Sequence, residues 1–257
     1  MIIIIYIFVI FLATTLGAVA GLGGGVIIKP VLDLIGYHDV STIAFISSWA
    51  VLSMAVYSTI KQVRNGVELD WIMVITIAVG AIFGGYIGNI IFDYLLLVMN
   101  STLLIILQAL ILNSLLVFVL MNMKNKNGLC IQSKIIFILI GFLLGVTSSF
   151  LGIGGGPINV AVFTFFFSVD LKKATIYSIA TILFSQVSKI ITIAYTVGFA
   201  KYDCSMLLYI IPTAIVGGVI GSYFNKRLDE NNIAKIFKIS VICIIVINIL
   251  ILVKNII

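Results

Sequence analysis

Apolar residues in this chain come in long unbroken blocks, and polar residues gather in the short gaps between them. Blocks of about 20 residues recur along the whole length, each long enough to cross a ~30 Å hydrocarbon core as a helix. The blocks show no polar–apolar alternation, which argues against barrel strands. They predict long helices at 41–63, 71–92 and 97–121, and again at 172–197, 203–224 and 232–253. Two more apolar stretches, 2–20 and 135–151, each precede a glycine-rich break and a short apolar piece, at 26–36 and 157–169. As helices the short pieces would reach only about 17–20 Å, too little to cross.

The breaks are a matched pair. One reads Gly21-Leu-Gly-Gly-Gly25 and the other Gly152-Ile-Gly-Gly-Gly156, at an offset of 131. Ser47 and Asp39 match Ser178 and Asp170 at the same offset. Gly66 matches Gly198 at 132, and Asp70, Gly84, Gly85 and Gly88 match Asp203, Gly217, Gly218 and Gly221 at 133. An ordered set of matches whose offset drifts slowly is the mark of a duplication with small insertions in loops. The predicted fold is an all-α polytopic membrane protein of two homologous halves, 1–123 and 124–257. Each half is a glycine-tipped hairpin followed by three transmembrane helices.

Composition agrees: 62% of residues are hydrophobic and 9% charged, against about 25% charged in a soluble domain. The net charge of +6 does not point to nucleic acid, because the basic residues sit in the gaps between apolar blocks and therefore report orientation. If each hairpin opens and closes on one side, the halves are inverted. Eleven basic residues (Lys61, Arg64, Lys124, Lys126, Lys134, Lys172, Lys173, Lys226, Arg227, Lys235 and Lys238) then share one side, with only Lys201 and Lys254 opposite. If the first arm of each hairpin crosses fully, the halves are parallel and the split is seven to six. The positive-inside rule selects inverted halves with both termini outside the cytoplasm. The first apolar stretch lacks a basic leader and reads as a retained helix.

Candidate chemistry centres on the breaks. Irregular backbone at membrane depth survives only where protein or a water-filled cavity surrounds it. Broken helices in inverted-repeat transporters hold substrate at the repeat interface. The start of a short helix offers unpaired N–H groups and about half a positive charge, and glycines let an anion approach that backbone. Gly23, Gly24 and Gly25 on the first tip, and Gly154, Gly155 and Gly156 on the second, are therefore candidates for binding a small anion. Pro157 suits a first helical position, and Asn159 follows it. Lys29 lies just past the first tip, able to attract an anion or to pair with Asp33; Asp33 itself stands between a coupling site and the plainer reading, an interfacial, solvated carboxylate. Lys189 lies inside a long helix, balanced between a pathway role and snorkelling. Ser47, Ser48 and Trp49 lie on one long helix, and Ser178 and Gln186 on its mate, among other hydroxyls at Ser53, Tyr57, Thr181, Ser185 and Ser188. The glycines at 84, 85, 88, 217, 218 and 221 read as helix-packing residues.

Cys130, Cys204 and Cys243 show no metal spacing, and the one histidine, His38 beside Asp39, reads as a solvated polar residue. No cofactor is called for, and no GxxxxGK[ST] motif is present, so energy would come from a gradient. The partners expected are a small anion and the bilayer, and a homo-oligomer is compatible with the sequence.

The paired motifs GLGGGVIIKPVL at 21–32 and SSFLGIGGGPINV at 148–160 resemble the sulfite exporter TauE/SafE family of membrane permeases. The resemblance extends over essentially the full chain. It implies a permease of the cytoplasmic membrane for small sulfur-containing anions such as sulfite and organosulfonates. The chain departs from symmetry: a lysine and a proline follow the first motif, whereas Pro157 and Asn159 follow the second. Rival readings are a passive anion channel, a membrane-embedded enzyme and a non-transporting assembly factor. The single histidine and unpaired cysteines count against the enzyme.

Overall fold

The computed structural model describes residues 2–67, 70–123 and 133–256. Lys124, Lys126 and Cys130 lie outside the described residues. The described chain forms ten α-helices: α1 (Ile2–Ala20), α2 (Gly25–Ile35), α3 (Val40–Arg64), α4 (Trp71–Val98), α5 (Ser101–Asn122), α6 (Lys134–Leu151), α7 (Gly156–Phe167), α8 (Leu171–Thr196), α9 (Leu207–Arg227) and α10 (Glu230–Ile256). No strand occurs among the described residues. Apolar blocks become helices because in lipid every backbone polar group must be satisfied within its own segment. Eight of the helices are long and apolar enough to cross a membrane, and α2 and α7 are not among them.

Polar residues in the gaps set the boundaries. Asp39 caps α3 by accepting from the Ser41 and Thr42 N–H groups at 3.1 and 3.0 Å. Asp70 caps α4 through Met73 N–H, and Asn100 caps α5 through Thr102 N–H. The sequence predicts a gap after residue 92, at Asp93, but α4 runs through it to Val98. Asn89 donates to Asp93 at 3.0 Å one turn away, so the carboxylate is accommodated within the helix. The predicted start at 203 is instead a 3-10 turn, Cys204–Met206, leading into α9.

Each hairpin folds back on itself. Tyr6, early in α1, hydrogen-bonds His38 beyond the end of α2 at 2.8 Å. Phe137, early in α6, packs edge-on against Phe167 at the end of α7, with centroids 5.0 Å apart. The first hairpin's mouth lies beside the 198–206 connection and the end of α10: His38 Nε2 is 4.0 Å from Asp203, and Lys254 donates to the Leu34 carbonyl at 2.8 Å. At the second hairpin's mouth, Lys172 donates to the Leu228 carbonyl at 2.7 Å, and Lys226 reaches Asn65 at 3.2 Å.

The core is built from crossed contacts. Helix α4 lies along α6, and α1 lies along α9. A Cβ placed at Gly80, Gly84 or Gly88 would strike the carbonyls of Ile138, Phe142 or Val146, so the two backbones touch. Gly217 and Gly221 press likewise on Thr14 and Thr15. Small residues allow this approach, and dispersion then replaces the hydrophobic effect as the adhesive force in lipid.

Candidate functional site

The two glycine tips meet in the interior. Gly21, Gly23 and Gly24 have φ from +72 to +77°, and Gly152, Gly154 and Gly155 from +68 to +79°. This is left-handed backbone that only glycine adopts without strain. The Gly24 carbonyl accepts from Ile27 and Ile28, and the Gly155 carbonyl from Ile158 and Asn159, so α2 and α7 start identically. Gly25 abuts the Ile153 carbonyl, and Gly156 abuts the Leu22 carbonyl. The tips therefore interlock reciprocally, each placing a glycine where the other presents a backbone oxygen. Ser178 ties them together, donating towards the Gly21 carbonyl at 2.7 Å and the Gly156 carbonyl at 3.3 Å.

Polar groups are concentrated at the second tip. The side chains of Ser148 and Asn159 both lie about 3.1 Å from where a Gly155 Cβ would stand, and the Gln186 amide lies 3.4 Å from the equivalent point of Gly154. Ser149 and Ser188 hydroxyls converge over Gly85 of α4, at 3.3 and 3.6 Å. All of these side chains are buried. Ser148 Oγ, Ser149 Oγ and Asn159 Oδ1 have no hydrogen-bond partner among the described residues. Unpaired buried polar groups are costly and uncommon. Several around one glycine tip form a site able to hydrogen-bond a polar solute. The corresponding positions beside the first tip, Gly17, Ala18 and Ile28, offer no polar side chain. Ser148 and Ser149 escaped the sequence reading although they stand within the second motif. Their signal was the mismatch between halves: Ser-Ser before one tip, Gly-Ala before the other.

Lys29 is buried and bonded to Asp33 at 2.7 Å and to Gln108 at 2.8 Å. The Lys29 and Asp33 side chains are each 4% exposed, so Asp33 is a buried ion-pair partner and not a solvated carboxylate. Gln108 in turn donates to the Phe150 carbonyl at 2.6 Å, tying this pair to the end of α6. Ser48 bonds its own helix at the Ala44 carbonyl. Ser47 is buried with no partner for its hydroxyl among the described residues. Trp49 stands away from the tips, in an aromatic group with Phe45 and Phe199, while Tyr202 stacks on Phe45 at 4.4 Å. Pro157 occupies the first turn of α7. His38 is held by Tyr6 rather than solvated. Cys204 and Cys243 are free and exposed, and no metal-binding cluster occurs among the described residues.

A cavity of about 400 Å³ opens at the first hairpin's end. Asp39, Asp93, Ser101 and Lys201 contribute its polar walls. Partial burial pushes the Asp39 carboxyl up, but hydrogen bonds from Thr42 and Ser41 outweigh it and hold the group below its usual range.

Taken with its eight membrane-length helices, this arrangement defines a multi-pass α-helical membrane protein with a polar site where two broken hairpins meet. The profile of the sulfite exporter TauE/SafE family matches residues 6–248 of the 257. The chain belongs to that family, a family of membrane transporters. No curated protein and no solved structure matches it.

Proposed function

We propose that the protein is a secondary transporter that moves a small sulfur-containing anion, such as sulfite or an organosulfonate, across the cytoplasmic membrane. The observation that carries this reading is the group of buried polar side chains at the second glycine tip, where the Ser148 and Ser149 hydroxyls have no partner among the described residues. An oxyanion entering a membrane must replace its hydration shell, and serine hydroxyls, amide N–H groups and helix-start N–H groups are the donors that do so. Transport proceeds by alternating access between two inverted halves, 1–123 and 124–257. Three features favour this arrangement: the strong lysine and arginine bias, the fold-back of each hairpin and the pairing of each hairpin's mouth with different loops. The interlocked tips are the natural fulcrum, since each belongs to a different half.

The test is reconstitution in liposomes with sulfite, thiosulfate, sulfoacetate and taurine. At least one anion is expected to raise thermal stability, to show saturable uptake and to support counterflow. Flux without saturation or counterflow would make the protein a passive channel. Unchanged stability and uptake with all four anions would remove the substrate class.

A further inference from the structure

Among the described residues two lysines are buried, and their surroundings differ in a way that assigns them different work. Lys29 is neutralised, with Asp33 at 2.7 Å and the Gln108 carbonyl oxygen at 2.8 Å. Lys189, about two turns before the C-terminal end of α8, is 1% exposed. It makes no hydrogen bond and no ion pair among the described residues. The charges acting on it are Lys29, which repels it, and Asp93, which attracts it from beyond ion-pair distance. Helix α8 packs against α4, and the neighbouring Ser188 donates to the Ile82 carbonyl of α4 at 3.0 Å. Lys189 thus sits on the segment that carries Gln186 to the second tip and Ser188 to α4.

A lysine without a close partner in such a place is costly in its charged form, and such groups face a cavity or a partner. Its surroundings hold a cation and a distant carboxylate, and no anion within ion-pair distance among the described residues. The same wall of α4 presents Asp93, Asn89 and Gly85 at successive four-residue intervals, which puts them on one face. Asp93 lines the cavity at the first hairpin's end, with Lys201 across from it. Asn89 is buried below it, and Gly85 meets the Ser149 and Ser188 hydroxyls. A polar stripe therefore descends from the cavity to the second tip, and Lys189 is the cation along it that lacks a close anionic partner.

We propose that Lys189 is the charge partner of the transported anion, and that the anion reaches it from this cavity along the Asp93–Asn89–Gly85 face of α4. Lys29 serves instead as a structural ion pair. The ligand class is a small oxyanion: Lys189 supplies the charge, and Ser148, Ser149 and the Asn159 amide bond its oxygens. This assignment rests on the transporter reading above.

The experiment is titration of the full chain in nanodiscs with thiosulfate and with sulfoacetate, using sodium chloride as the control. Wild-type protein is expected to bind at least one of the two. Lys189→Met and Lys189→Gln should each weaken that binding by roughly ten- to a hundredfold, the range for losing one charge-assisted contact. Lys189→Arg should restore most of it. Wild-type affinity in either neutral variant would overturn the assignment of Lys189 and leave the transporter reading standing. Recovery of both stability and binding in Lys189→Met/Asp93→Asn would also overturn it, making the two residues a structural pair. Absence of binding to the wild-type chain, together with absence of uptake, would overturn the transporter reading itself. If both neutral variants fail to fold, Ser149→Ala provides the second test: it should weaken binding without altering the melting temperature by more than about 2 °C, and unchanged affinity would place the anion elsewhere.

Discussion

Replacing Gly156 with alanine isolates the contact between the two tips. Gly156 is the first residue of α7 and is absent from the residues with positive φ. Alanine is therefore no burden to its backbone, and the whole effect is tertiary. Its Cβ would stand 2.5 Å from the Leu22 Cα and nearer still to that residue's carbonyl. Ordinary contact begins at 3.4 Å, so the tips would have to part by about 1 Å or more. The obstacle is backbone on the other hairpin, which has no rotamer to move aside. Overpacking of this kind costs about 1–3 kcal/mol, and the rigidity of the neighbour places this case at about 3 kcal/mol. For a chain of this size that corresponds to a loss of roughly 6–12 °C in melting temperature. Gly198→Ala is the control: φ is +77° there, but nothing lies within 4 Å, so only about 1 kcal/mol of backbone strain is expected. Thermal unfolding in detergent or nanodiscs, followed by tryptophan fluorescence, measures both. A Gly156→Ala protein that melts with the wild type, or no lower than Gly198→Ala, would refute the interlocked tips.

Lys29→Met should cost about 3–5 kcal/mol, because it strands the Asp33 carboxylate in the interior, while Lys29→Met/Asp33→Leu should recover most of the loss; melting temperatures of the two variants decide it. Cysteines placed at Lys61 and Lys201 in a background lacking the native thiols should label from opposite faces of oriented vesicles, and labelling from one face would end the inverted arrangement. Asp39→Ala should cost about 1 kcal/mol at neutral pH through loss of the α3 cap. Because hydrogen bonds hold the folded Asp39 below its unfolded value, the cap's stabilisation is present above the ordinary carboxylate range and is lost as pH falls through the folded value. Melting curves of wild type and variant should converge in acid, and a constant gap would contradict the cap.

Helices were largely legible in the sequence because bilayer thickness and backbone satisfaction leave few alternatives. The predicted stretch 2–20 is α1, and the predicted 172–197 is α8 within one residue at each end. The miss at Asp93 has a physical reason: a carboxylate after a long apolar run looks like a boundary unless a neighbour one turn away, here Asn89, supplies a donor. The tips were legible as breaks, because glycine clusters have few other uses in lipid. Their contact was not legible, since it depends on how deep each hairpin reaches, which is set by Gly17 against Gly24 and by Thr175 against Gly21. Charge pairing was legible only as an alternative. The spacing of Lys29 and Asp33 allows an ion pair, but Gln108, seventy-nine residues away, completes it. Lys189 carries no local sequence signal that tells a lone cation from a paired one.

The crossed packing also has a consequence for how the protein is made. The small-residue face of α1 finds its partner in α9, and Val19 accepts a hydrogen bond from Asn225, 206 residues later in the chain. At synthesis rates of roughly 5–20 residues per second, that interval lasts about 10–40 s. Throughout it the first hairpin must wait in the membrane with Thr14, Thr15 and a half-formed glycine tip facing lipid or a chaperone. The second hairpin has no such delay, because α4 is already in place when α6 emerges. Substitutions in α1 should therefore affect yield and insertion more than equivalent ones in α6, even where the two helices make equally close contacts in the finished protein.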